Sequence, residues 1–445
     1  MADSAAPRSS ASVVAEVIDD GRVSGQQFLV IGLCMFFNML DGFDITAMAV
    51  VATSVASELD LAADRLGLIF GFALAGMMAG AMLLAPISDI LGRRKLIIIS
   101  LTLVGVSILF TATATTLTEF IVLRFISGIG AGALLACQAA LAAEYSPSKF
   151  RALSVTAVTS GYPMGAMMTS VVASFIMPDF GWRGMFWFGG AITLVMGLVA
   201  WTLIPESLKY LFERRPVNAL QRANKILAKL KKNTLTEMPD VRETHFVKPR
   251  GFSSNVASLL GDKYATSTLT LWATFFLCFS SVYFMMSWIP KLMVQSGFTA
   301  EVGRDAFFLY NLGALVGTYM LGTLAIRWKL SNIVSGFLFT SGILMVIFAA
   351  APNELTLLLV LTFAIGVLQQ GGFTGLYAVA AKVYPTEIRS TGIGWAIGLG
   401  RLGAVAGPVI AGFLITAGIS MSGNYFIFAV PMAIGGLLAY RLHIR

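Results

Sequence analysis

Apolar residues run along this chain in long blocks broken by short polar punctuation. A helix needs about 20 apolar residues to cross a hydrocarbon core roughly 30 Å thick. On that rule twelve spans are predicted, near residues 27–53, 66–87, 96–116, 119–142, 152–177, 184–204, 267–289, 305–326, 332–350, 355–380, 390–417 and 424–441. Only "TTLTE" separates the third span from the fourth, the least marked break. The pattern predicts an all-α membrane protein in two six-helix bundles. A polar tail over 1–26 precedes a first bundle over 27–204; a polar segment over 205–264 leads to a second bundle over 265–441 and a short tail, 442–445. Within the central segment, "LQRANKILAKLKK" is basic with apolar positions at helical spacing. It reads equally as a helix lying on an anionic lipid surface and as a solvated linker helix.

Composition agrees. Hydrophobic residues make up 57% of the 445 positions and charged residues 12%, against about 25% charged in average soluble domains; mean hydropathy is +0.81. Cys34, Cys137 and Cys278 all fall in apolar runs, so no disulfide framework is implied. His245 and His443 lie far apart in polar segments and form no metal-ligand cluster. The net charge of +8 is not spread as a nucleic-acid surface would require. Of the 31 lysines and arginines, 25 fall on the side of the two termini and four (Arg65, Arg183, Lys291, Arg304) on the other; Arg124 and Arg401 lie inside spans. The positive-inside rule then places both termini in the cytoplasm.

The halves resemble each other. "EYSPSKFRALS" after the fourth span has Pro147 and Arg151; "VYPTEIRSTG" after the tenth has Pro385 and Arg389, at an offset of 238. Ala85 in "APISDILGRRK" and Gly322 in "LGTLAIRWKL" stand 237 apart. Two places at nearly one offset indicate a duplication of six helices. "GLGRLG" (Gly398, Gly400, Gly403) matches a dinucleotide fingerprint, but it lies inside an apolar helix without the strand that such a site needs. Like "GIGAG" at 128–132, it reads as small residues that let helices approach.

The chemistry sits inside the spans. "NMLDGFDITA" places Asp41 and Asp44 on one helix face in an apolar stretch. A charged aspartate near the bilayer centre costs at least about 2.5 kcal/mol. Burial and a neighbouring like charge both disfavour the ionised form, so at least one is expected to carry a proton part of the time. A carboxylate that gains and loses a proton inside a membrane is what proton coupling requires; a structural carboxylate tied to a basic partner is the alternative. Arg124 lies roughly 10 Å outward of the centre of its span and Asp44 roughly 6 Å outward in its own, so an Asp44–Arg124 pair is compatible in depth. Arg401 sits near the middle of the eleventh span. It awaits either an anionic substrate or an acceptor on a neighbouring helix. Gln138, Tyr283, Trp288, Asn311, Gln369, Gln370, Tyr377 and Trp395 are further cavity candidates, each also readable as packing, and Trp288 in "WIPK" as an interfacial anchor. Asp89, Arg93, Arg94, Glu144, Arg151, Glu387 and Arg389 cluster at the inner helix ends. They read as topogenic or headgroup-contacting charges, or as charge pairs of an inner gate. No nucleophile–base arrangement or metal-ligand spacing is present, and no enzymatic activity is expected.

These motifs converge on a resemblance. "APISDILGRRK" is similar to the G-x-x-x-D-[RK]-x-G-[RK]-[RK] signature of the major facilitator superfamily: Asp89, Gly92, Arg93 and Arg94 match, and Ala85 and Ile90 depart from it. "RFISGIGAG" resembles the superfamily's R-x-x-x-G-x-G pattern, and "IPESLKYL" its P-E-S motif. The second-half copy has Ile326 in place of the acid, which weakens a symmetric gate. "DGFD" resembles the D-G-x-D signature of the aromatic acid:proton symporters, and "VYPTEIRSTGIGWAIGLGRLGAV" is similar to their tenth-to-eleventh-helix region. The resemblance implies a twelve-helix major facilitator fold in a bacterial inner membrane, taking up 4-hydroxybenzoate, protocatechuate, benzoate or vanillate with protons by alternating access. It implies roles for Asp41, Asp44, Arg124, Glu144, Arg389 and Arg401. In this reading Asp41 and Asp44 take the proton, Arg124 or Arg401 meets the carboxylate, and Tyr283, Gln369, Gln370 and Trp395 line the site. Its partners are a small aromatic carboxylate, protons and membrane lipid, with no cofactor and no nucleic acid, and the protein is expected to be a monomer. A sugar, polyol or other organic-anion transporter, a proton-driven efflux pump and a transporter-like chemosensor are the alternatives.

Overall fold

A computed structural model describes residues 8–19, 23–239, 241–242, 259–261, 264–384 and 388–442. Inside a bilayer each main-chain polar group must be bonded within the segment, so apolar blocks of this length become helices. A short helix α1 (Ser10–Asp19) precedes the first bundle, which comprises α2 (Gly25–Glu58), α3 (Ala63–Leu83), a single turn α4 (Ser88–Leu91), α5 (Arg93–Thr111), α6 (Leu117–Tyr145) and α7 (Arg151–Leu203). After α8 (Leu208–Arg214) and α9 (Ala219–Lys229) comes the second bundle: α10 (Ala265–Gln295), α11 (Ala300–Leu324), α12 (Leu330–Ala350), α13 (Leu355–Val383), α14 (Arg389–Thr416) and α15 (Met421–Arg441).

Eleven of these helical runs are long and apolar enough to cross a membrane. The twelfth crossing is hidden in α7, whose 53 residues would reach roughly 80 Å if straight. Gly181 breaks it at φ 62°, ψ −166°, in the positive-φ region that glycine occupies without the Cβ penalty. A Cβ on Gly165 would strike the Met39 carbonyl, and one on Gly189 the Phe43 ring, so residues before and after Gly181 pass the same depth of α2 and the chain reverses there. The weakly marked third break is sharp. Thr116 and Glu119 form a reciprocal capping box at the start of α6, which satisfies two otherwise unbonded main-chain donors.

Glycines set the spacing of the bundles. Cβ atoms on Gly76 and Gly80 of α3 would lie about 2 Å from carbonyls of α6, and those on Gly128 and Gly132 of α6 the same from α3. The interlock recurs between α11 and α13 at Gly313 and Gly317, each 237 positions on, with Gly366 standing 238 beyond Gly128. The duplication is thus visible as a repeated close approach of backbones. Gly403 and Gly407, from the stretch that mimics a dinucleotide fingerprint, press against the carbonyls of Phe276 and Ser280 in α10.

Twelve crossings return the chain to the side on which it starts, so the described ends, Arg8 and Leu442, belong to one face, the terminal face. The N-terminal stretch is more than a tail: α1 docks on the terminal face with Val14 and Ile18 buried among Leu208, Leu211 and Phe212. The apolar side of α9 is buried in the same cluster through Ala223 and Leu227. That face is used inside the protein, which favours the linker reading of the basic segment over a helix on lipid.

Candidate functional site

Asp41 and Asp44 lie one turn apart on α2 and are 2% and 1% exposed. The Arg124 guanidinium of α6, 1% exposed, donates to Asp44 Oδ1 through Nη1 and to the Asp44 main-chain carbonyl through Nη2 at 2.7 Å. Asp44 and Arg124, compatible in depth along their spans, are thus in direct contact. Phe186 covers the same guanidinium, its ring centroid 6.0 Å from Cζ. Toward the terminal face, Gln138 Nε2 donates to Asn38 Oδ1 at 2.9 Å, and Asn38 Nδ2 donates to the Val158 carbonyl at 2.7 Å. Asp41 lies between these two tied layers, and neither of its carboxylate oxygens has a hydrogen-bond partner among the described residues.

The second bundle faces Asp41 with Arg401, which is 8% exposed and within electrostatic reach of Asp41, Tyr162, Tyr283 and Tyr377. A buried guanidinium keeps its charge and demands acceptors. Apolar rings adjoin it. A Cβ on the neighbouring Gly400 would fall 2.9 Å from the Phe279 ring. Phe279 stacks on Tyr283 at 5.9 Å and meets Phe373 edge-on at 4.6 Å. Phe279 and Phe373 escaped the sequence reading because a phenylalanine in an apolar helix carries no signal of its own; their spacing of four positions from Tyr283 and from Tyr377 was the available clue.

The remaining candidates divide. Gln370 shares a face of α13 with Phe373 and Tyr377, and its amide lies 3.7 Å from Met286 Sδ. Gln369 is turned away: it accepts from Tyr310 Oη at 2.6 Å and its amide lies 3.8 Å from Met345 Sδ, so it ties α13 to α11 and α12. Asn311 bonds back to the Phe307 carbonyl of its own helix at 2.9 Å. Trp395 lies six residues from Arg401 along α14, roughly 9 Å, and packs at a tilt against Trp272, ring centroids 5.8 Å apart. Trp288 is not an interfacial anchor. It is fully buried, donates to the Pro408 carbonyl at 3.0 Å and meets Phe70 edge-on at 5.3 Å.

The inner charges tie helices of one bundle together. Arg93 pairs with Glu144 at 2.5 Å, and Ser207 donates to the other Glu144 oxygen at 2.5 Å. Glu206 accepts from the main-chain N–H of Arg94 at 3.0 Å and of Ser207 at 2.9 Å. Its carbonyl accepts from Tyr145 Oη at 2.7 Å. A Cβ on Gly92, whose φ is +95°, would lie 2.4 Å from Glu206 Oε2. The P-E-S motif and the G-R-R signature are therefore one clamp on the start of α5. The Arg94 guanidinium donates to the Trp201 carbonyl, Arg151 bonds locally to the Ala143 carbonyl at 3.2 Å, and the exposed Asp89 offers its main-chain carbonyl to Arg214 at 3.1 Å. Glu387 and the side chain of Arg389 lie outside the described residues.

On the opposite face the bundles are clasped. The Asp64 main-chain N–H donates to Thr416 Oγ1 at 2.9 Å, and that hydroxyl donates to Asp64 Oδ1 at 3.2 Å. Gly67 and Gly412 meet backbone to backbone beside Pro408.

The model of the Major Facilitator Superfamily matches residues 31–340 and 304–444. The chain is 30% identical over 444 residues to the 4-hydroxybenzoate transporter PcaK of Acinetobacter baylyi, covering 98% of this chain and 95% of the relative. It is 29% identical to the gallate transporter of Pseudomonas putida, covering 94% and 92%. The benzoate transport protein of A. baylyi is 28% identical, with 97% and 93% covered. Among solved structures, the xylose transporter XylE from E. coli in an inward-open conformation superposes with a TM-score of 0.70 at 17% identity, covering 94% of this chain and 96% of that one. With a family model spanning both bundles and a relative aligned from end to end, the chain belongs to the Major Facilitator Superfamily.

Proposed function

We propose that this transporter takes up an aromatic monocarboxylate together with a proton, by alternating access across a bacterial inner membrane. One observation carries the reading: a buried carboxylate, Asp41, and a buried guanidinium, Arg401, lie within electrostatic reach of each other from different bundles, and neither Asp41 oxygen has a hydrogen-bond partner among the described residues. Arg401 receives the substrate carboxylate, and the adjoining rings of Phe279, Tyr283 and Phe373 cover its aromatic face. Asp41 carries the proton. The named activities of the relatives, on 4-hydroxybenzoate, gallate and benzoate, support an aromatic acid as substrate.

Coupling follows from competition. With the site empty, ionised Asp41 is the acceptor nearest in charge to Arg401; a substrate carboxylate that takes Arg401 leaves Asp41 uncompensated, and it then binds a proton. Neither charge crosses alone, because an unneutralised carboxylate in the hydrocarbon region is costly. Asp44 remains the anchor for Arg124. One anion with one proton is electroneutral, so one unit of pH gradient is worth about 1.4 kcal/mol, or tenfold accumulation. The lysine and arginine bias supports a terminal face that lies in the cytoplasm.

The test is uptake of labelled 4-hydroxybenzoate, benzoate, gallate and vanillate into vesicles under an inward pH gradient. Wild type should accumulate at least one acid uphill. Asp41→Asn should lose accumulation and keep downhill exchange. Gradient-independent uptake by wild type, or uphill uptake by Asp41→Asn, would overturn the assignment.

A further inference from the structure

Aromatic rings continue from the Arg401 site toward the terminal face. On α10, Trp272, Phe275, Phe279 and Tyr283 fall at spacings of three, four and four, which places them on one helix face. They span eleven residues, roughly 16 Å. Each level has a partner from another helix or the next ring: Tyr283 stacks on Phe279, Phe275 meets Tyr377 edge-on at 5.5 Å, and Trp272 packs at a tilt of 34° against Trp395 at 5.8 Å. Successive rings of α10 are 5.9 Å apart from Phe275 to Phe279 and from Phe279 to Tyr283. Trp272, Tyr377 and Trp395 are each partly exposed, unlike Phe275, which is fully buried. At the lowest level the Trp272 indole N–H is enclosed and has no acceptor among the described residues. Tryptophan N–H groups enclosed in this way ordinarily find a partner.

We infer that Trp272 and Trp395 form a second station for the aromatic ring, on the terminal-face side of the central site, at which the substrate rests between Arg401 and the cytoplasm. This rests on the transport reading above and extends it. An aromatic acid that leaves Arg401 must give up a charged partner and a set of ring contacts together. Below the central site the partly exposed rings of Tyr377, Trp395 and Trp272 replace those ring contacts, and the unpartnered Trp272 indole N–H supplies a donor for the carboxylate or hydroxyl at the lower end. The step is chemically undemanding of ring substituents, because each aromatic substrate presents the same π-face. The station therefore tunes the rate and affinity of exchange on one side of the membrane, while discrimination among acids stays at the central site.

The experiment is sided exchange of labelled 4-hydroxybenzoate by full-length protein in liposomes of determined orientation. An aromatic contact is worth up to about tenfold in affinity. Trp272→Leu should raise the half-saturation concentration measured from the terminal face about tenfold relative to that measured from the opposite face. Trp272→Phe, which keeps a ring and removes the N–H, should recover the part of that ratio that the ring supplies and not the part that the N–H supplies, and its recovery shows that the fold tolerates change at this position. An equal shift on both faces, or none, would overturn the station while leaving the central site standing. Failure of the wild type to exchange 4-hydroxybenzoate, benzoate or gallate in either direction would overturn the transport reading and the station with it.

Discussion

Asp41 and Asp44 stand one helical turn apart on α2, and the structure treats them oppositely. Arg124 occupies one carboxylate oxygen and the main-chain carbonyl of Asp44, whereas both oxygens of Asp41 are buried without a partner. Two acids that look equivalent along the chain thus differ in what an incoming proton would displace: a hydrogen-bonded ion pair at Asp44, and at Asp41 only the longer-range attraction of Arg401.

The Asp44–Arg124 pair is therefore expected to be structural. Breaking a buried pair from one side leaves an uncompensated charge and costs about 3–5 kcal/mol, while replacing both partners with apolar side chains is close to neutral. Asp44→Ala should lower the thermal midpoint of the detergent-solubilised protein strongly. The double change Asp44→Ala with Arg124→Leu should recover most of the loss. Additive losses in that cycle would show that the pair is not coupled.

How much was legible beforehand follows from where the signals lie. The crossings, the duplication and the Asp44–Arg124 contact were readable because apolar length and the cost of charge in lipid are written in residue types. The reversal at Gly181 was legible only as a polar interruption. What escaped was direction. Nothing in "VLQQGGF" says that Gln369 turns toward Tyr310 and Met345 while Gln370 shares the face of Phe373 and Tyr377. Trp288 beside a proline and a lysine has the composition of an interfacial belt, yet packing against Phe70 buries it. The docking of α1 was also hidden, because Val14 and Ile18 are two apolar residues in a polar stretch.

Glu206 should prove as important for assembly as any charge in the G-R-R loop. Its carboxylate holds the Arg94 and Ser207 N–H groups and fills the space above Gly92. Hydrogen bonds to a charged group contribute about 1.5–3 kcal/mol. Glu206→Leu should reduce stability by that order. Gly92→Ala should do so independently, because it meets both the Glu206 carboxylate and a φ of +95°. A melting curve unchanged by either substitution would remove the clamp from the account.

Docking of α1 should be acid-sensitive. Partial burial raises the Asp19 pKa, but hydrogen bonds from the Ser148 side chain and N–H outweigh it, with help from Arg151 and Lys232, and the carboxyl sits below its ordinary value of 3.8. A depressed folded-state value means that the contact stabilises above the unfolded pKa and is lost as pH falls through the folded one. The contribution is below about 1 kcal/mol because Asp19 is exposed. Amide exchange over Ser10–Asp19 should be constant from pH 5 to 8, after correction for intrinsic rates, and protection should fall below about pH 4. Asp19→Asn should show part of that loss at pH 7. Equal protection in the variant would assign docking to Val14 and Ile18 alone.

The clasp on the opposite face gives the last expectation, because it must open in each transport cycle. Gly67 of α3 and Gly412 of α14 touch through their backbones, a Cβ on Gly412 would lie 2.7 Å from the Ala63 carbonyl, and Asp64 and Thr416 exchange hydrogen bonds beside them. Asp64 and Gly67 belong to the first bundle and Gly412 and Thr416 to the second, so an added side chain penalises only the state in which the bundles meet here. Overpacking costs about 1–3 kcal/mol, which shifts a two-state equilibrium by about 5- to 150-fold. Gly412→Leu should therefore favour opening toward the opposite face. Leu66 is fully buried in this closure, and the three native cysteines are buried as well. A Leu66→Cys probe should react with a membrane-impermeant maleimide several-fold faster in the Gly412→Leu background than alone. Added 4-hydroxybenzoate should change that rate in the otherwise wild-type protein if binding biases the same equilibrium. Labelling that ignores both the substitution and the ligand would mean that these glycines set helix spacing and nothing more.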